Sequence, residues 1–107
     1  MALRNWPLAS VPANVITEWV VPGANLEAMI LGIYICNTGT EATADVTVTV
    51  TNSDGAVLAT PVKASLEPGD TITLDTRICL AASANPDKLR MLSTAAGISC
   101  LASGDEG

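Results

Sequence analysis

Between Asp45 and Thr51 the chain reads Asp-Val-Thr-Val-Thr-Val-Thr, with valines at 46, 48 and 50 and threonines at 47, 49 and 51. A strict two-residue period puts one residue type on each face of a strand, whereas a helix repeats every 3.6 residues. The valines form the core-facing side. The threonines are β-branched, so the opposite face keeps strand preference while tolerating water. Asn52-Ser-Asp-Gly55 follows as a hairpin turn, because an Asp-Gly pair accepts positive φ, and Ala56–Ala59 is the return strand.

The rest of the chain carries similar punctuation, with short apolar or alternating runs separated by Gly, Pro, Asn and Asp. Val15–Val21 is β-branched and aromatic and stops at Pro22-Gly23. Leu26–Cys36 is apolar at nearly every position from Ala28 onward, which predicts a central strand covered on both faces, by the facing sheet and by the arm or a partner subunit. Pro61 confines its surroundings to an edge strand or a loop. Thr71–Asp75 alternates again, Arg77–Ala82 continues it, and Leu89–Ser93 and Gly97–Ala102 complete the set. Seven or eight strands predict an all-β fold, a single two-sheet antiparallel β-sandwich, either immunoglobulin-like or jelly-roll-like, over residues 14–102. Residues 1–13, broken by Pro7 and Pro12, read as an irregular N-terminal arm, and 103–107 as a frayed acidic tail. At most one short turn of helix is expected, near 81–86.

Composition narrows the chemistry. The 107 residues are 49% hydrophobic, enough for one core, and contain no histidine. That removes the commonest general base and the usual ligand of zinc, copper and haem. The net charge of -6 repels phosphate backbones, so nucleic acid is not an expected partner. The longest apolar run, Ala28–Cys36, is about half of a membrane-spanning helix, and no secretory leader is recognisable, so neither insertion nor Sec export is expected.

Few features invite a site. Cys36, Cys79 and Cys100 stand at no metal spacing and lie in apolar segments, which reads as buried thiols. The alternatives are one pair meeting across the sandwich or one thiol linking to a neighbouring subunit. Asp45, Asn52 and Asp54 lack the spacing of a calcium loop. Paired carboxylates for glycoside hydrolysis and platforms for sugar binding both call for aromatics, and the chain has only Trp6, Trp19 and Tyr34. No catalytic residue, cofactor or metal is expected. Sixteen alanines and twelve threonines instead make small, flat faces. The arm, through Trp6 and Leu8, and the threonine face at Thr47, Thr49 and Thr51 are the candidate assembly contacts. Symmetric assembly into a homo-oligomer supplies the cover that a two-sided apolar strand needs.

A family resemblance follows the same residues. Trp19-Val-Val-Pro-Gly23, Ile35-Cys-Asn-Thr-Gly39, Ala44–Val50, Leu66-Glu-Pro-Gly-Asp-Thr-Ile72, Leu92-Ser-Thr94 and Ser103-Gly104 occur in an order that resembles small β-sandwich virion proteins of tailed bacteriophages. The resemblance implies a non-enzymatic structural component of the virion, a head decoration or cement protein or a neck and tail accessory. Its implied partners are copies of itself and capsid or neck/tail proteins, with assembly in the host cytoplasm. The rival expectation is an immunoglobulin-like adhesive or carbohydrate-binding module of a surface protein.

Overall fold

The structure, a computed structural model, describes residues 2–107. Eight strands and no helix are found among them: β1 (Ala2–Val11), β2 (Thr17–Val20), β3 (Ala28–Asn37), β4 (Ala44–Thr51), β5 (Val57–Leu66), β6 (Thr71–Leu80), β7 (Lys88–Ser93) and β8 (Ile98–Glu106). They form two four-stranded sheets, ordered β1-β8-β3-β6 (sheet A) and β2-β7-β4-β5 (sheet B), with every strand pair antiparallel. First pairs with last, second with seventh, third with sixth and fourth with fifth, as in a long hairpin rolled up so that alternate pairs fall in opposite sheets. That order is a jelly roll, the second of the two sandwich types anticipated.

The core lies between the sheets. Val46, Val48 and Val50 point into it as their alternation predicts, beside Ile30, Ile35, Leu89, Met91 and Ile98. Each such aliphatic side chain contributes about 1.5–3 kcal/mol through burial. The indole N–H of Trp19 donates to the Trp6 carbonyl at 2.7 Å, pinning β1 in sheet A to β2 in sheet B. Asn37, fully buried at the end of β3, donates to the carbonyls of Ala42 and Leu66 and accepts from the Gly39 amide. Its hydrogen-bonding capacity is met inside the protein, which removes most of the penalty of burying an amide.

Three expectations change. Residues 2–11 are not an irregular arm but the edge strand of sheet A, paired with β8 from Ala2↔Glu106 to Val11↔Ile98; Met1 lies outside the described residues. Pro7 breaks helices but is tolerated on an edge strand, whose outer side bonds to nothing. Nor is the acidic tail frayed, since β8 runs to Glu106 between β1 and β3. The Glu106 carboxylate accepts from the Gly23 amide at 3.1 Å and from the Arg4 guanidinium, so a polar segment is held in the sheet by pairing on both sides. Finally, β3 is central in sheet A, but the N-terminal residues pair with β8 at the sheet edge instead of covering its outer face. Leu31 and Tyr34 are exposed there.

Candidate functional site

Of the candidate contacts, Trp6 is 7% exposed and belongs to the core, where the alternation of β1 turns it inward. Leu8 is half-buried and packs against the same core. Neither projects from a detached arm. Thr47 and Thr49 lie half-buried on the outer face of sheet B, as their period predicts. Thr51 is different: at 2% exposure it is buried, next to register shifts between β4 and β5 that follow Val48.

The three cysteines are free. Cys79 is exposed on edge strand β6, Cys36 is half-buried and Cys100 is buried between the sheets, so the expected burial holds for Cys100 alone. Burial pushes the Cys100 thiol up from 9.0 to about 12, because a thiolate there would lose its hydration. That thiol is inert at neutral pH. The turn after β4 is held by Asn52, whose side-chain oxygen accepts from the amides of Asp54 and Ala56. Asp45, at the opposite end of β4, accepts from the Ser65 hydroxyl. Among the described residues no three His, Cys, Asp or Glu side chains stand together as a metal cluster.

The second apolar face of β3, for which the sequence implies cover by assembly, is the outer face of sheet A, but none of its residues stood among the candidate contacts. Leu3, Leu31, Tyr34 and Leu101 are all exposed there. Antiparallel register aligns Pro7, Leu101, Tyr34 and Thr73 in one row across all four strands. A shallow depression of about 360 Å³ lies between Leu3, Asn5, Leu31 and Ser103. A register shift between Ile30 and Gly32, against both neighbouring strands, interrupts the strict alternation at Leu31. The signal was present in the sequence, since a glycine inside a strand marks a bulge. Its meaning was hidden by the apolar residues on either side.

The outer side of sheet B combines ion pairs with the exposed apolar residues Ile16 and Val57. Glu18 on β2 pairs with Lys88 at 3.2 Å and Arg90 at 3.6 Å on β7. These are exposed or half-exposed ion pairs, which add little stability but set the sign of the local field.

Strand order and surface together define an eight-stranded jelly roll whose conspicuous features are faces. Sequence comparison finds no protein-family match and no similar curated protein. Among solved structures, the chain is similar to one from the T13 viral particle of infectious bursal disease virus, at 10% identity over 94% of this chain and 31% of that one, with a TM-score of 0.46. It is also similar to a chain of the Gx strain of that virus (13% identity, 96% and 33% coverage, TM-score 0.44). A third is the VP2 subviral particle of the same virus (12%, 97% and 32%, TM-score 0.42). The chain spans about a third of the length of these proteins. Likeness of this grade fixes neither activity nor partner.

Proposed function

We propose that this chain is a non-enzymatic structural module of a virus particle, of the decoration or accessory kind found on tailed bacteriophages, and that it works by covering and being covered. The observation that carries the reading is the open apolar face of sheet A, where Leu3, Leu31, Tyr34 and Leu101 stand exposed on a rigid two-layer scaffold. Exposed apolar side chains gathered on one face of a small domain, here set around the polar row of Asn5, Ser103 and Asp75, mark an interaction site. The outer face of four strands about 4.8 Å apart and nine or ten residues long measures roughly 600 Å², near the ~800 Å² per partner of a standard interface. The jelly roll also recurs in viral capsid domains, a support by analogy of fold alone. It recurs in lectins too, but with Trp6 and Trp19 buried, Tyr34 is the one exposed ring, a single platform for a sugar.

Size-exclusion chromatography with light scattering tests the reading on the 10.9 kDa chain. A discrete symmetric oligomer is expected, dissociated by Leu101→Asp while the tryptophan fluorescence stays that of the folded protein. A strict monomer at all concentrations, neither binding capsid nor tail proteins nor entering particles when co-expressed with them, refutes it. Removing residues 1–12 is not a clean test, because β1 with Trp6 is part of the core.

A further inference from the structure

The strands at the rims of the two sheets are β1 and β6 in sheet A and β2 and β5 in sheet B. A rim strand turns every second N–H and C=O outward without a partner, and three of these four carry a feature that discourages a further strand from adding there. β1 holds Pro7 in its middle, β5 holds Pro61 and Lys63, and β2 is four residues long. β6 has none of these. Thr71–Leu80 is ten residues long without proline or lysine, roughly 34 Å of open ladder at the antiparallel rise. Its pairing with β3 shifts between Ile78 and Asp75, yet along β6 itself exposed residues at 71, 73, 75, 77 and 79 alternate with half-buried ones through that point.

Both faces of β6 are incomplete in a way that a copy of the same strand completes. On the inner face, Ile72, Leu74 and Ile78 pack against the core but stay partly exposed along the rim. On the outer face, Asp75 and Arg77 are exposed, and neither makes an ion pair among the described residues. Asp75 stands opposite Gly32, which has no side chain to meet it. In an antiparallel pair opposite residues share a face, so exposed meets exposed only when the two-fold axis falls at a residue and not between two. An axis at Asp75 sets that carboxylate against itself, and one at Arg77 does the same to the guanidinium. At Thr76, between them, each Asp75 faces an Arg77 of the second copy, and the pair occurs twice. The same register lays Leu74 against Ile78 and Ile72 against Leu80 on the inner face, with Thr76 against Thr76 at the axis. Opposite charges, aliphatic pairs and threonine pairs are all favourable across strands, whereas like charges placed opposite each other are not.

We propose that β6 is the edge through which a second copy of this chain docks: two copies join β6 to β6, antiparallel, about a two-fold axis at Thr76, and sheet A continues from one chain into the other. Backbone hydrogen bonds and the joined aliphatic rows supply the hold, and the two Asp75–Arg77 pairs fix the register. Such an interface uses the same surface on both copies and closes at two, because each chain has one unguarded edge. The assignment goes beyond the virion reading and stands on a different surface, since that reading rests on the outer face of sheet A.

The test is sedimentation equilibrium of the full chain and of Leu101→Asp, which removes contacts through the outer face of sheet A. Leu101→Asp is expected to remain a dimer. In that background Asp75→Arg sets like charges opposite each other at two places and is expected to weaken the dimer about tenfold or more, and Arg77→Asp does the same. Both exchanges together restore opposite charges and are expected to recover the association, an outcome that loss of folding does not produce. Thr73→Cys reads the register separately. Residue 73 then lies opposite Cys79 of the second copy, about 5.5 Å away or less between Cα atoms and within disulfide reach, so oxidation by copper–phenanthroline is expected to link the new thiol to the exposed Cys79. A Leu101→Asp chain that is monomeric at concentrations on the order of 1 mM overturns this proposal and leaves the virion reading standing. A double exchange no better than the single ones, or a Thr73→Cys chain that forms no such link, also overturns it. An unchanged dimer in both the parent and Leu101→Asp supports the β6 pair and counts against the sheet A face.

Discussion

Replacing Gly104 with alanine probes a close approach of β8 to β3. Gly104 is buried in β8 and faces Ile30 of β3 and Arg4 of β1 in register. A Cβ at this position falls 1.8 Å from the Met29 carbonyl oxygen, 2.9 Å from the carbonyl carbon and 3.2 Å from the Ile30 Cα. Real Cβ contacts do not go below 3.0 Å, so β3 and β8 have to part locally by more than 1 Å. Ladder hydrogen bonds near 2.9 Å do not survive such a displacement. Two lost bonds at about 1 kcal/mol each, plus about 1–3 kcal/mol for a backbone group left buried and unpaired, give roughly 3–5 kcal/mol. Against the ~5–15 kcal/mol total of a domain this size, the variant is marginal. Chemical denaturation followed by the fluorescence of Trp6 and Trp19 measures the loss. Gly55→Ala is the control: its φ is +83° and nothing lies within 4 Å of the added Cβ. That variant has only left-handed backbone strain, about 1–2 kcal/mol. If Gly104→Ala is destabilised by no more than Gly55→Ala, the tight β3–β8 contact is wrong.

Thiol labelling at pH 8 is expected to modify Cys79 rapidly, Cys36 slowly and Cys100 only on unfolding, read by mass spectrometry of peptides; early modification of Cys100 refutes its burial. Because the folded Cys100 thiol titrates near 12 instead of 9.0, the unfolded chain releases a proton between those values that the folded chain keeps. Its contribution to stability is intact below pH 9 and is lost progressively above it, by on the order of 4 kcal/mol at pH 12. Cys100→Ala is expected to flatten that alkaline decline, and an unchanged pH profile of denaturation midpoints counts against it. Trp19→Phe keeps a ring in the core but strands the Trp6 carbonyl, at a cost of about 1–3 kcal/mol by urea denaturation; a variant as stable as the parent shows that the bond does not join the sheets.

Much of the architecture was legible along the chain. Val46, Val48 and Val50 could only be one face of a strand, Asn52–Gly55 could only be a turn, and the lack of histidine takes away the commonest general base and metal ligand. These are local properties, set by backbone sterics and side-chain period within a few residues. Tertiary structure decided what depends on distant partners. Residues 2–11 and 103–106 carry proline, charge and glycine, and they are strands because each lies against the other and β8 also lies against β3. The choice of jelly roll over immunoglobulin topology is a matter of which strand lies beside which, and alternation repeats identically in both. The surfaces divide in the same way. That Thr47, Thr49 and Thr51 share a face follows from a period of two, but that each meets Lys63, Arg90 or Lys88 follows from register, which joins residues 16 to 41 positions apart. The exposure of Leu31 and Tyr34 likewise follows from an outer face of sheet A that none of the described residues folds back to cover.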